Sequence, residues 1–497
     1  MKFKSSVILV PALLMVYSCS THKVVMDESR EIASAIASPD ALMCPHEGEV
    51  GFNRLYDLIS DAKNYVHISV YSWSDGGLEK AIEKALANKA KVRVVLHPDL
   101  KDSPKVTTVV PKLESMGAEF KIAPMNMHEK FTLIDDETVV NTSANFSGGA
   151  KNKYSENIVF HELSKDNSDS LKSLLRDFKN EFVILWNTSK DITTNGEANA
   201  MKLTDIIKKE NIPTNGDMSL YSSSMNWTLK ENAPSSQAYK QGKYFSLVEK
   251  KYSGSAEQTW VVRDTLIAAI KNAKKSIYLS LNHFNIREVS DALIEAVKRG
   301  VDVKLAVDNQ EYKSKPNNLE MSPQFVADWK QVKGNVVPPV RVKYYSHEPS
   351  PSRWLLNHHK FVLVDFEIPA STVLLSGSYN LSRTAEQNQF DNLVVYKSPK
   401  YAELYKSFYK EFLNQWSWNR VNDQPKKEVV DLFYQTKNNS YPIHVSEAVA
   451  LTWPEVMSLR ADINKKAPGI FSGLTKNRDC LYYDATKKAY WACPNGK

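Results

Sequence analysis

One pattern is written twice in this sequence, and that repetition limits the possible folds more than any composition does. The first copy reads MHEKFTLIDDETVVNTSANFSGGAKNKYSEN and carries His128, Lys130, Asp135, Ser143, Asn145, Ser147, Glu156 and Asn157. The second begins LNHHKFVLVD and closes with GSYNLSRTAEQNQFDN, carrying His358, Lys360, Asp365, Ser378, Asn380, Ser382, Asp391 and Asn392. On a strand, residues two apart share a face, so His358 and Lys360 point one way while His359 and Phe361 point the other. A lone His-x-Lys is surface decoration more often than a site. Two copies that agree at eight positions, seven identical and one acidic in both, are not.

The repetition extends beyond the motif. Downstream, DFKNEFVILW and SFYKEFLNQW stand at the same offset as the two histidines, pairing Phe178 with Phe408 and Trp186 with Trp416. Upstream, LISDAKNYVHISVYSW matches AIKNAKKSIYLSLNHF, and ALANKAKVRVVL matches AVKRGVDVKLAV. The second half is longer between these segments and its motif. A repeat this extended duplicates a whole domain, not a small solenoid unit.

Helix and strand signals alternate from Gly51 onwards. Leu55, Leu58, Ile59 and Ala62 have helical spacing, YVHISVYSW reads as a strand, Leu78 to Asn88 as an amphipathic helix and KVRVVL as a buried strand. Ser164 to Trp186 closes the first half as a helix. Strands separated by helices predict an α/β layer architecture. The chain has 497 residues, 42% hydrophobic and 24% charged, with a net charge of +7. That charge suits an anionic substrate without demanding nucleic acid, which a dense basic stripe would support better.

The paired stretches resemble the two HKD motifs of the phospholipase D superfamily, over most of residues 49 to 420. The short distance from S-x-N to the following acid resembles the small bacterial nuclease and mitochondrial cardiolipin-hydrolase branch. The first copy departs from the family pattern, with Thr142 where G-S-x-N has glycine. The resemblance implies two tandem domains, each a mixed sheet flanked by helices, related by a pseudo-twofold axis. It also implies one active site built from both motifs in a single monomeric chain. One histidine then attacks phosphorus and the other protonates the leaving alcohol. His128 takes the nucleophile's role, and His358 that of acid and then base. Glu156 and Asp391 fall at the position that holds each imidazole through its other nitrogen, while Asp135 and Asp365 read as structural.

The residue types suit that chemistry. A phosphodiester repels nucleophiles, so a site for it needs a group that titrates near neutrality, which histidine supplies. It also needs fixed positive charge, here Lys130 and Lys360, and neutral donors to the phosphate, here Ser143, Asn145, Ser378 and Asn380. No cofactor or metal is called for. His359 lies on the opposite face and reads as a packing or capping residue; His97 and His283 stand alone and read as ordinary. Trp73, His283 and Phe284 end matching early strands, where shaping a cleft and packing a core are equal readings.

The ends of the chain suggest export. Lys2 and Lys4, the apolar stretch Val7 to Val16 and Tyr17-Ser18-Cys19 read as a signal peptide over residues 1–18. Ser18 before Cys19 resembles a lipobox, so Cys19 is the expected lipidation site of a membrane-anchored bacterial lipoprotein, in the outer membrane or periplasm; a secreted protein is the alternative. Residues 19–48 read as a tether, 49–190 as the first domain, 191–256 as a connector with some strand, 257–420 as the second domain and 421–497 as an extension. Cys480 and Cys493 flank an aromatic loop and read as a disulfide, with two buried thiols as the alternative. The expected substrate is a phospholipid met at a membrane surface. Nucleic acid cut by a secreted metal-independent nuclease, and phosphatidyl transfer of the cardiolipin synthase type, stand as alternatives.

Overall fold

The computed structural model describes residues 39–192, 202–203, 216–250, 260–308, 321–344, 355–417, 449–466, 481–484 and 489–492. The signal segment, Cys19, Cys480 and Cys493 lie outside the described residues. The repeat is visible as two eight-stranded mixed sheets. The first runs, edge to edge, through Asp40–Cys44, Glu156–Glu162, Thr138–Thr142, Phe131–Ile134, Tyr65–Val70, Lys91–Leu96, Glu119–Ile122 and Lys190–Asp191. The second runs in the matching order through Met218–Ser222, Asn392–Tyr396, Val373–Gly377, Lys360–Val364, Ser276–Leu281, Asp302–Asp308, Val340–Tyr344 and Val449–Thr452. In each, three consecutive strands joined by helices are parallel, as crossover connections require, and all other neighbours are antiparallel.

Helices cover both faces of each sheet. Gly48–Ser60, Gly76–Ala87 and Pro104–Ser115 bury Phe52, Leu55, Leu78, Ile82 and Leu113 in a core over one face of the first sheet. Val261–Asn272, Arg287–Lys298 and Met321–Lys333 do the same for the second through Leu266, Ile270, Leu293 and Phe325. Between the sheets lie Asp169–Thr188 and Ala402–Ser417. The first is capped by Ser168, whose hydroxyl accepts from the Leu171 amide, and it buries Leu171, Leu174, Leu175, Phe178, Phe182, Leu185 and Trp186 at helical spacing. Each such side chain contributes roughly 1.5–3 kcal/mol by leaving water.

These two helices join the repeats. Asp169–Thr188 packs on Met218–Ser222 of the second sheet, and Ala402–Ser417 packs on Asp40–Cys44 of the first. One apolar cluster accordingly contains Phe131, Phe178 and Trp186 from one half with Phe361, Phe408 and Phe412 from the other. The domains share a core, so they are not beads on a linker.

That packing redraws the expected boundaries. Asp40–Cys44, read as the end of a tether, pairs in register with Glu156–Phe160 and is an edge strand of the first sheet. Met218–Ser222, read as connector, pairs with Asn392–Tyr396 and opens the second domain. It is followed by an antiparallel hairpin of Trp227–Glu231 with Phe245–Glu249. Val449–Thr452, in the expected extension, closes the second sheet against Val340–Tyr344. Among the described residues no helix is long and apolar enough to cross a membrane.

Candidate active site

The motif strands begin just after the histidines, at Phe131 and at Lys360. Each ends in an aspartate in the left-handed region, Asp135 at φ 55° and Asp365 at φ 51°, a conformation aspartate tolerates better than most residues. Asp135 accepts from the amides of Lys63, Asn64 and Tyr65 at 2.7–2.8 Å, and Asp365 from those of Lys274, Lys275 and Ser276 at 2.7–3.1 Å. Both therefore tie the end of the motif strand to the start of the neighbouring strand, far along the strand from the histidine. Their role is structural.

At the other end the repeats interlock. The His128 amide donates to the Phe390 carbonyl at 2.9 Å, and the His358 amide to the Ser155 carbonyl at 3.0 Å. Phe390 and Ser155 each precede the acid of their own repeat. Those acids reach across: His128 Nδ1 lies 2.8 Å from Asp391 Oδ1, and His358 Nδ1 lies 2.6 Å from Glu156 Oε1. Each histidine is thus held by the carboxylate of the other repeat. Chemistry at each ring falls to Nε2.

Ser143 and Ser378, expected beside the asparagines as phosphate donors, are committed elsewhere. A hydroxyl has one proton to give, and each serine gives it to the acid of its own repeat, Glu156 or Asp391, at 2.7 Å. Each also accepts the following amide, from Asn157 at 2.9 Å and Asn392 at 3.0 Å. They position the acids. Ser147 and Ser382 cap the short helices Gly148–Asn152 and Arg383–Gln387. Asn145 and Asn380 differ: the Oδ1 of each is buried with no hydrogen-bond partner among the described residues. A phosphate oxygen accepts hydrogen bonds, so it is the Nδ2 of each amide, which donates to nothing among the described residues, that remains available to a phosphate.

Lys130 and Lys360 are buried, and each donates to the carbonyl of its own motif histidine. Burial, helped by the charge of Lys360, brings Lys130 down to about 7, and burial brings Lys360 down to about 8. Burial also pushes the Glu156 and Asp391 carboxyls up to about 7 and the two imidazoles well below their usual value. Hydrogen bonds and the lysine charges oppose that shift at both acids. Each His–acid pair is a dyad whose two members titrate together, the acid holding Nδ1 and leaving Nε2 free for proton transfer.

Several neighbours were not legible as site residues. Tyr71, ending the Tyr65–Val70 strand, meets the His128 ring edge-on at 4.9 Å and lies under the Lys130 ammonium. His97, read as ordinary, packs edge-on against Tyr71 and accepts the Met127 amide at Nδ1, 3.1 Å away. In the second repeat Asp308 accepts the Asn357 amide at 2.7 Å. Each acceptor holds the residue just before the motif histidine. The signal was present, since His97 and Asp308 stand at the offset that relates Trp73 to Phe284. Their types differ, and only their acceptor capacity is shared. Trp73 and Phe284 bridge to Phe146 and Leu381, pinning the residue after each motif asparagine. His359 does pack: it bonds Glu411 and, across the repeats, Asn157, each at 3.1 Å.

Thr142 stands where the second copy has Gly377. A β-carbon on Gly377 would lie 2.3 Å from the Asn392 carbonyl oxygen, which receives the Ser378 and Tyr379 amides at 3.1 Å. In the first copy the Thr142 hydroxyl enters that gap, donating to the Asn157 carbonyl at 2.7 Å and accepting from the Ala144 amide at 2.8 Å. A direct backbone bond has been replaced by a side-chain bridge.

A family model described as "Cardiolipin synthase, PLD-like domain" matches residues 55–186 and 266–416, more than half of the chain and one segment in each repeat. The mitochondrial cardiolipin hydrolase of Danio rerio is 26% identical over 155 residues, 30% of this chain. The chain spans 63% of that relative's length. Among solved structures, phosphatidylserine synthase from Haemophilus influenzae Rd KW20 is similar with a TM-score of 0.48 and 14% identity, over 77% of this chain and 87% of that one. Nuc of Salmonella typhimurium, a phospholipase D family member, has a TM-score of 0.24 and 24% identity, over 32% of this chain and 88% of its own.

Proposed function

Since this chain belongs to the phospholipase D superfamily, we propose that it hydrolyses phospholipids, releasing phosphatidic acid and the head-group alcohol. Displacement at a phosphodiester is the activity of the superfamily; the lipid and the water acceptor are the proposal. The observation that carries it is the crossed pairing of His128 with Asp391 and His358 with Glu156, which makes two motifs one site. In support of a lipid are the matched model's description as a cardiolipin synthase domain and the relative's name as a cardiolipin hydrolase.

The reaction divides into two displacements. His128 Nε2 attacks phosphorus, the bond to the leaving oxygen breaks, and that oxygen takes the Nε2 proton of His358. His358 then removes a proton from water, whose oxygen attacks phosphorus and returns the electron pair of the P–N bond to His128. Asp391 and Glu156 keep Nδ1 of each ring oriented and offset the charge it gains. Lys130, Lys360, Asn145 and Asn380 face the equatorial oxygens, where charge accumulates. If a second lipid alcohol enters in place of water, the same steps transfer a phosphatidyl group. In this reading the chain is a monomer tethered through Cys19 at the membrane that supplies its substrate, after export.

Labelled phosphatidylcholine, cardiolipin and single-stranded DNA, offered separately with EDTA present, test the substrate. Head-group release from a phospholipid is expected. Cleavage of DNA with both lipids intact would overturn the lipid reading and leave a nuclease.

A further inference from the structure

The two dyads are built from different parts. Glu156 receives His358 on one oxygen and Ser143 on the other, and no further hydrogen bond reaches it among the described residues. Asp391 receives both His128 and Ser378 on Oδ1, which leaves Oδ2 to a third donor, Gln389 Nε2. In the first copy the position two residues before the acid is Tyr154. Its ring turns toward His358, 6.5 Å between centroids, and offers Glu156 no hydrogen bond.

Gln389 is itself firmly held. It is buried, its carbonyl accepts the Ser223 hydroxyl at 2.7 Å, and the same hydroxyl oxygen accepts the Asp391 amide at 2.9 Å. Gln389–Phe390 pairs in parallel with Asn126–Met127, the two residues before His128. The donor, the acid and the histidine are therefore tied together through the Ser223 hydroxyl and this strand pair. Without Gln389, Oδ2 would lie buried and bare, and the carboxylate could turn about its own axis away from His128.

We propose that Gln389 is a positioning residue that locks Asp391 against His128 and so makes the His128 half of the site the more rigid of the two. Both carboxylates are bonded through each oxygen, but Asp391 holds three donors and Glu156 two, and each added hydrogen bond to the charged form favours the charge and resists rotation. That charge is what His128 requires when attack on phosphorus makes its ring cationic. Glu156, with one donor fewer, suits a partner that must give and take a proton within one turnover. The inference rests on the reading of His128 and His358 as the reacting pair, and its test does not depend on the substrate.

The test uses the full chain carrying Gln389→Leu and, as a variant of similar length without a donor, Gln389→Met. The downfield Nδ1 proton signals of His128 and His358 are followed by NMR, with Tyr154→Phe as the control in the other half. Both Gln389 variants should shift the His128 signal or speed its exchange while leaving that of His358 in place. With an active phosphodiester substrate, kcat should fall about tenfold and KM stay within about twofold, as loss of one bond to a charged group implies. Unmoved signals in both variants, or equal movement of both histidines, would overturn the proposal. Wild-type protein inactive on every phosphodiester would defeat the proposed function, and the NMR result would still decide this one.

Discussion

Two buried histidines outside the site contribute to the response to acid. Neither ring nitrogen of His67 has a hydrogen-bond partner among the described residues, and the ring is stacked on Phe182 at 4.3 Å. Burial lowers its pKa well below the usual value, and burial brings His161 to about 4. Unfolding returns both to about 6.5. Their folded pKa is depressed, so the unfolded chain binds protons that the folded chain refuses. The stability they contribute is full above about pH 6.5 and is lost as pH falls, for His161 toward pH 4, by at most about 1.4 kcal/mol per pH unit for each proton. His67→Phe should therefore lose less thermal stability than wild type between pH 7 and pH 5. Parallel losses in calorimetry would contradict it. Residue type alone hid this behaviour, as it hid the use of Ser143 and Ser378. A hydroxyl beside a motif asparagine reads as a phosphate donor until its proton is seen going to a carboxylate. The aspartates were easier to read, because a carboxylate at the end of a strand meets backbone amides more readily than it reaches a distant cleft.

Among the elements, the helices and central strands were legible and the edges were not. Tyr65–Val70 and Lys91–Leu96 are apolar runs bounded by helices, and their period marks them. Asp40–Cys44 and Val449–Thr452 are short, lack a matching sequence in the other half, and take their strand form from partners distant in the chain. The loop at the S-x-N turn is where the two halves solve one problem differently. Gly377→Ala would force its methyl into the Asn392 carbonyl, so it should cost about 1–3 kcal/mol and displace Ser378 with the acid it holds. Thr142→Gly removes only a bridging hydroxyl, and about 1 kcal/mol is expected. Denaturant melts of both variants check the order. A larger loss for Thr142→Gly would mean the two turns are not equivalent.

The whole molecule is organised so that neither repeat completes a site. Spacing brought out the paired histidines and acids, but not which acid bonds which histidine, because that depends on how two sheets dock. The docking rests on the shared core of Phe178, Trp186, Phe408 and Phe412 and on the reciprocal bonds from His128 to Phe390 and His358 to Ser155. Asp391→Asn should accordingly impair the histidine of the first repeat and Glu156→Gln that of the second, each by about tenfold or more in kcat. Histidine NMR in each variant would show which ring is disturbed; a disturbance confined to the histidine of the same repeat would contradict the crossed pairing. The most direct test of a single shared, covalent site is acid quenching with a phosphodiester labelled on the part retained by phosphorus. His358→Ala lacks the group that activates water, so label should accumulate on the protein at His128, while His128→Ala should carry none. Label on both variants, each at its remaining histidine, would mean two independent half-sites and would contradict the account.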